Sequence, residues 1–571
     1  MKKYLLFLGL PMLPLLSTAQ SAHVPVDEDA VYLIRRLSTL TRSLNQNSHT
    51  TVQPLLAKDV AAFMEQSRLH NLAKGWGQTD NSNISLVLSN TGEWAQPDGA
   101  GAIDARRPLG PFYQKMTDML YLNNRRFFMS VNPMLGLQGM YENFDEETDI
   151  KFNWTAGARI RAKYKNYLGL DFKLQYISEQ PAKYYHQLNQ SRNTVIGGTR
   201  NFDYNRGNQR YGYVLPTGSI SASVLKDYVS LNVGYDYFKI GQGQRGLMLS
   251  DFSGPVGFAN LRTKVWQLQY DNVFLRLSPD RDIPGSALTA NAANYKFAAA
   301  HQLSANINKW LNIGLYEMVV FSRNEGFELS YLNPVIFYRA MERSLGSPDK
   351  VAIGLNASAI PVKKLRLYGQ FFINEFIAKE FFGSNKYMHN KWGAQLGFNY
   401  YDVFNVSNLD LQLEGNVIRP YTFQHTFRGT EYIPSNFTNN NLPLGHPLGA
   451  GFRELLAIVR YQPSPRLNFE AKMMLYQRGV DTADQNFGND LSKAYSQNVP
   501  NRYGVKMVNG LQLDRTLYSL KAAYQLAPNL FFDLGGVYGR FNYKEAAEQT
   551  NHYQFWTGLR LNITARDYTQ F

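Results

Sequence analysis

The chain has 571 residues, a formal net charge of +14, no cysteine, and 14% aromatic side chains, among them 37 Tyr and 35 Phe. The lack of cysteine excludes a disulfide framework and a lipid-modified N-terminal cysteine, and beyond the first twenty residues no stretch has the roughly 18 uncharged residues of a membrane helix. A mean hydropathy of only −0.35 beside that aromatic content fits strands with one face toward lipid and one toward a wet lumen, because the two faces cancel in the average.

In chain order, Met1–Gln20 reads as an export signal: Lys2 and Lys3, an apolar run from Tyr4 to Leu16, then small Ser17 and Ala19. Asp27 or Asp29 is placed to cap a helix with Val31, Ile34, Leu37 and Leu40/Leu44 on one stripe, and Ala57–His70 groups Val60, Phe63 and Met64. Too short and too charged to span lipid, these helices are expected to form a small periplasmic or lumen-closing bundle, the alternative being an export spacer. Asp80–Arg107, rich in Gly, Asn and Asp, reads as a linker with one candidate strand at Ile84–Leu88. The division expected is residues 1–20 signal, 21–122 periplasmic helical segment and linker, and 123–571 barrel.

From Arg125 onward the grammar changes to period two. In Leu467–Tyr476, Leu467, Phe469, Ala471, Met473 and Leu475 face one way and Asn468, Glu470, Lys472, Met474 and Tyr476 the other, joined through Pro463-Ser464-Pro465-Arg466 to a strand with Leu455, Ala457, Val459 and Tyr461 on its apolar face. The pattern recurs in Tyr518–Leu526 with Leu530–Tyr538, in Trp392–Tyr400 with Leu409–Val417, and in Val351–Ala359 with Leu365–Phe372. Charges such as Asp410, Glu414 and Lys521 keep to the non-lipid face. About eighteen strands of roughly 10 residues follow, provided a turn falls at Asp271-Asn272. That makes an all-β, antiparallel outer-membrane barrel in which short periplasmic turns alternate with long extracellular segments throughout. The last strand, Phe555–Ala565, is expected to run on to Phe571 in the same outward phase.

The long segments carry what chemistry there is. Arg419–Ala450 holds Tyr421, His425, Arg428 and Tyr432, and Gln477–Thr516 holds Asp490, Tyr495, Arg502 and Tyr503. Aromatic rings stack on the C–H faces of sugars while amides and guanidiniums bond hydroxyls and carboxylates, so these eight are the candidate ligand-binding residues. Asx turns in solvated loops give the same composition. Clustered Asp481, Asp484, Asn486, Asn489 and Asp490 suggest calcium, but lack the glycine and closing Glu of a calcium loop. No G-x-S-x-G or H-E-x-x-H occurs, and a hidden Ser–His pair through His301 and Ser304 competes with plain lumen-lining residues. The chain is read as a non-enzyme without cofactor or metal. Its positive charge speaks for anionic glycans or lipid headgroups, or for solvated loops, and not for nucleic acid.

Tyr237–Pro255 (Y-F-K-I-G-Q-G-Q-R-G-L-M-L-S-D-F-S-G-P), Gly326–Lys350 (G-F-E-L-S-Y-L-N-P-V-I-F-Y-R-A-M-E-R-S-L-G-S-P-D-K) and Gly488–Tyr503 (G-N-D-L-S-K-A-Y-S-Q-N-V-P-N-R-Y) resemble the Wzi-like capsule-assembly family, in the version of gliding Bacteroidetes-type bacteria that includes the RemB-like proteins. The resemblance covers most of the chain. It implies an eighteen-stranded barrel with a helical periplasmic end, loops that occlude the pore, and a lectin-like hold on exported polysaccharide. It transfers no sugar-binding residue. Glu328, Arg339, Glu342 and Arg343 are expected to pin Ser322–Asp349 inside the mouth. The partners implied are a surface polysaccharide, acidic in one version, the lipid and lipopolysaccharide of the outer membrane, and unidentified periplasmic or outer-membrane proteins. A gliding or adhesion accessory and a passive solute porin are the alternatives. A TonB-dependent transporter does not fit, for the N-terminal segment is too small for a folded plug and about four strands are missing.

Overall fold

The computed structural model describes residues 23–571 except 25, 27–28, 47, 75–76, 95–111, 125, 166–167, 226–227, 284–294, 336–337, 340, 342–348, 376, 384, 426–434 and 565. The expected export signal and residues 95–107 of the expected linker lie outside the described residues. Eighteen antiparallel strands close into one barrel. They are β1 (Phe127–Phe144), β2 (Glu147–Tyr164), β3 (Leu168–Glu179), β4 (Arg210–Leu225), β5 (Val229–Asp236), β6 (Val256–Val265), β7 (Leu268–Leu277), β8 (Tyr295–Asn308) and β9 (Leu311–Arg323). There follow β10 (Lys350–Val362), β11 (Leu365–Glu375), β12 (Lys391–Tyr400), β13 (Leu409–Ile418), β14 (Phe452–Ser464), β15 (Leu467–Val480), β16 (Leu511–Ala527), β17 (Leu530–Tyr543) and β18 (Glu548–Leu561). Pairing of β18 with β1, His552 opposite Phe144 and Leu561 opposite Leu135, closes the ring.

Side chains alternate as the sequence reads. On β15 the even residues Lys472, Met474 and Tyr476 are buried in the lumen. On neighbouring strands Leu455, Tyr518, Leu520, Phe555 and Leu559 stand exposed on the outer wall, the apolar band of an outer-membrane barrel. Three expectations about connections need correction. Asp271 and Asn272 lie within β7, paired with Arg262 and Leu261 on β6, and the turn is Trp266–Gln267. Asp271 faces the lumen, where it accepts from Arg262 Nε at 2.6 Å, so a polar dipeptide here is strand and not turn. Nor do short and long connections alternate without exception, because the long-loop rim also carries two tight hairpins, Asp145–Glu146 and Lys544–Ala547. Finally, β18 stops at Leu561. Phe571 does not face lipid: it packs between the rings of Tyr184 and Tyr185, 5.7 and 4.6 Å away, inside the lumen.

Among the described residues three helices precede the barrel: α1 (Asp29–Thr41), α2 (Ala57–Lys74) and α3 (Gln78–Asn90). The residues read as a candidate strand, Ile84–Leu88, are the middle of α3, whose polar composition hides a stripe of Ile84, Val87 and Leu88 packed on Val31, Ile34, Leu37, Val60 and Met64. Ions lock this bundle to the short-turn rim. Arg36 pairs with Asp80 of α3 at 3.2 Å and with Asp402 and Asp410, each at 2.6 Å, beside the β12–β13 turn. Arg161 of β2 pairs with Glu93 and Asp118, and Lys264 of β6 with Asp59.

An eighteen-stranded barrel is wide enough for an aqueous channel, but here the space is filled from both rims. From the bundle, Val52–Gln53 enters the lumen and pairs with Lys239–Ile240 of the β5–β6 segment, which descends from the opposite rim. That segment is held by Glu414, which accepts from the backbone N–H of Gln244 (2.6 Å) and of Arg245 (3.1 Å), and by Glu454, paired with the Arg245 guanidinium at 3.1 Å. Residues beyond Leu561 add a third filling, with Asp567 paired to Lys472 at 3.0 Å.

The β9–β10 segment does not sit inside the mouth. On β8, Lys296, Ala298, Ala300 and Gln302 take the lumen phase, so Phe297, Ala299 and His301 face outward. Yet Ala299, Val319, Phe321 and Val351 are buried together with Tyr331 and Tyr338 of this segment. It therefore folds down the outer wall as a clasp. Glu317 accepts from His301 Nδ1 at 3.0 Å and from the Tyr338 N–H at 3.0 and 3.1 Å, while Tyr338 Oη bonds His301 Nε2 at 3.0 Å. Tyr270 Oη donates to the Pro334 carbonyl at 2.7 Å, and Tyr331 Oη to Asp349 at 2.7 Å. Of the charges expected to pin it, Glu328 caps a 3-10 turn by accepting from the Ser330 N–H, Arg339 is exposed, and Glu342 and Arg343 lie outside the described residues. A His–Glu pair facing lipid would be costly; the clasp removes it from lipid.

Candidate functional site

His301 and Ser304 point to opposite faces of β8 and do not meet; Ser304 instead contacts His49 in the lumen. A cavity of about 40 Å3 lined by Arg245, Lys472 and Asp567 has room for a few waters and falls far short of the roughly 300 Å3 at which small-molecule pockets begin. Exposed aromatic and basic side chains, Tyr503 and Arg502 among them, gather on the long-loop rim.

There, three loops stack in two layers. In the lower layer Tyr421 is fully buried; its N–H donates to the Gly488 carbonyl and its hydroxyl to the Asn486 carbonyl, both at 2.8 Å. Gly488 has φ +91°, and a Cβ there would stand 2.4 Å from Tyr421 N, so only glycine allows the approach. Burial, and after it Asp481, pushes the Tyr421 phenol up, leaving it a neutral strut. His425 is also buried, and its carbonyl accepts from the Tyr495 N–H at 3.0 Å. Asp490 ties this layer to α4 (Lys183–Arg192): burial would raise its carboxyl, but Arg192, 2.9 Å away, outweighs burial and holds it well below the usual range. Asp481 spends its oxygens on the backbone N–H groups of Phe487, Asn489 and Asp490.

The upper layer is aromatic and basic. Tyr503 is 54% exposed and lies 4.9 Å from the Tyr387 ring. His389 lies 5.1 Å from Tyr387 and edge-on to Tyr495 at 5.5 Å. Lys391 Nζ stands 3.5 Å from the Tyr495 ring centre and also pairs with Glu375 at 2.7 Å, to which Lys350 and His389 add. Arg502 is exposed beside them, its carbonyl accepting from the Met388 N–H at 2.9 Å. Burial raises the Tyr495 phenol, with a further push from Glu375, so it remains a neutral hydrogen-bonding group.

Of the eight candidates, Tyr495, Arg502 and Tyr503 thus come together on the platform, while Tyr421, His425 and Asp490 build its foundation. Arg428 and Tyr432 lie outside the described residues. The partners that sequence reasoning missed, Tyr387, His389, Lys350 and Lys391, belong to the ends of β10 and β12 and to the β11–β12 loop (376–390); Y-M-H-N-K at 387–391 was the available signal. Lys350 and Lys391 are buried beside these rings; the exposed Tyr503 and Arg502, without a deep pocket, suit contact with an extended polar ligand.

No family model matches the chain, and no curated protein matches it in sequence. Among solved structures it is similar to Wzi of Escherichia coli, described as an outer-membrane protein involved in group 1 capsule assembly and a carbohydrate-binding β-barrel. The identity is 10%, 96% of this chain and 100% of that one are covered, and the TM-score is 0.55. It also overlaps OprD of Pseudomonas aeruginosa (13% identity, 76% and 96% covered, TM-score 0.39) and OccAB4 of Acinetobacter baumannii (12%, 75% and 97%, 0.40). The first likeness bears on the fold; the other two are too loose to bear on anything further.

Proposed function

We propose that this outer-membrane barrel binds and anchors a surface polysaccharide, capsular or exopolysaccharide, through its long-loop rim, and so contributes to capsule assembly. The observation that supports it is the pairing of a filled lumen with a rim platform on which Arg502 and Tyr503 stand exposed beside the half-buried rings of Tyr387 and Tyr495. A molecule built this way is equipped to hold a polymer and not to conduct one. In this reading the long loops face outward and the helix bundle the periplasm, residues 1–20 serve export, 21–122 form the periplasmic segment and 123–571 the barrel. The chain takes its place among Wzi-like proteins of the Bacteroidetes type. Weak contacts at several loops, repeated along a periodic polymer, sum to firm retention.

Deleting the gene and measuring polysaccharide retained on cells against polysaccharide shed tests the reading. A shift from retained to shed with synthesis intact is expected, and Arg502→Ala with Tyr503→Ala should reproduce part of it in a barrel that still folds. An unchanged ratio would overturn the anchoring role; altered colony spreading in that mutant would turn attention to a motility accessory, and steady conductance in a planar bilayer to a porin.

A further inference from the structure

Arg515 projects from β16 into the lumen near the long-loop rim and is only 1% exposed. Its Nε and Nη1 have no hydrogen-bond partner, and Nη2 reaches only His552 Nε2, at a weak 3.4 Å. The Phe541 ring lies 3.5 Å and the Tyr184 ring 4.7 Å from the guanidinium. Rings attract a guanidinium but offer it no acceptor, and withdrawing an ion from water costs more than such contacts return. Arg478 lies diagonally across the β15–β16 ladder, on the same lumen face, one step beyond Tyr476, the residue opposite Arg515. Its Nε is likewise unpartnered. Among the described residues no carboxylate pairs with either arginine. Acidic groups of this upper lumen are committed elsewhere: Glu142 to Lys151, Asp490 to Arg192, Asp567 to Lys472. Even Arg366, another buried arginine without a carboxylate, donates to Ser358 Oγ and Gln242.

We infer that Arg515 and Arg478 form an anion site that takes the carboxylate of an acidic sugar, a uronate, from the polymer held above. The inference deepens the proposed function and rests on it for the source of the carboxylate. Guanidinium forks match a carboxylate edge to edge. Tyr543, one step toward the rim from Phe541 on the same face of β17, is 37% exposed, so solvent reaches this face within one residue pair of the site. A free anion such as phosphate shares the chemistry, so the test separates the two sources.

The full-length barrel in detergent is melted, and titrated, with an oligoglucuronate, a neutral glucose oligomer of equal length, and inorganic phosphate. The oligoglucuronate should bind and raise Tm while the neutral oligomer does neither, because a ligand of the folded state alone stabilises by mass action. Arg515→Met should weaken oligoglucuronate binding at least tenfold and, in anion-free buffer, melt no lower than wild type, since it removes a charge that nothing balances. Should that variant fail to fold, Arg478→Met must by itself weaken binding at least threefold. If phosphate stabilises and oligoglucuronate does not, the acidic-sugar assignment falls. If no anion moves Tm and Arg515→Met melts well below wild type, the rings suffice for the arginine and the site does not exist. Arginine-dependent oligoglucuronate binding alongside unchanged polymer retention in the deletion mutant would keep the site and overturn the anchoring role.

Discussion

Arg36 and Arg515 are equally hidden and differently treated. Arg36, at the short-turn rim, is 2% exposed and surrounded by Asp80, Asp402 and Asp410; Arg515, toward the other rim, is 1% exposed and has rings but no carboxylate. The same contrast recurs among other charges. Bundle-end charges such as Arg161 with Glu93 and Asp118, and Lys264 with Asp59, are matched, as Arg192 is with Asp490 at the loop end. The loop end leaves Arg478, Arg502 and Arg515 without a carboxylate partner among the described residues. Balanced buried charge fastens one part of a fold to another, whereas unbalanced charge is poised for something that arrives from outside.

Breaking the fastening is expected to have the largest effect. Arg36→Met strands three carboxylates and should cost about 3–5 kcal/mol, freeing the bundle from the rim; faster proteolysis of residues 29–90 in detergent, with the barrel intact, is the readout. Next comes pH. Burial lowers His49, in the lumen filling, from an ordinary 6.5 to about 4, Arg262 and Lys264 acting with burial and Asp271 against it. Unfolded chains therefore bind the proton more readily than folded ones between those values. Stability is full above about pH 6.5, falls as pH is lowered toward 4, and levels off below, a loss of roughly 3 kcal/mol. Urea unfolding across that window should show the slope in wild type and a flatter profile in His49→Gln. The smallest effect belongs to the clasp: Tyr338→Phe leaves His301 Nε2 without its partner and should cost about 1–3 kcal/mol, visible as easier cleavage of the β9–β10 segment in vesicles while the barrel still resists.

How far the sequence could be read depends on whether neighbours in the chain or distant strands decide a residue's place. Hairpins such as Leu467–Tyr476 with its partner are local, and their alternation needs only the rule of two. Asp271-Asn272 reads as a turn because two adjacent polar residues suit one, and the dipeptide itself does not display the cross-strand ion pair with Arg262 that keeps Asp271 in a strand. Gln78–Asn90 reads as a linker because its helix is held by packing against α1 and α2 and not by propensity. A trace of the clasp was present in the chain all along: His301 and Glu317 occupy the apolar phase of β8 and β9, a break in pattern that only a covering segment explains. On the rim, Tyr495, Arg502 and Tyr503 share one loop and were legible. Tyr421 has the same chemistry, but close packing against Gly488 puts it underneath, and no spacing rule reveals depth.

The strand pair formed by Val52–Gln53 and Lys239–Ile240 has a mechanical meaning. Beyond it the chain path continues through Ser250, whose N–H donates to the Leu444 carbonyl at 2.9 Å, into the loop that also supports the rim platform. A pull applied to the rim platform would travel down this line of hydrogen bonds to the helices on the far side and not only spread around the hoop of strands. Such a molecule behaves as a solid post set through the membrane, able to bear shear from the surface layer at one end and to offer a footing for attachment at the other.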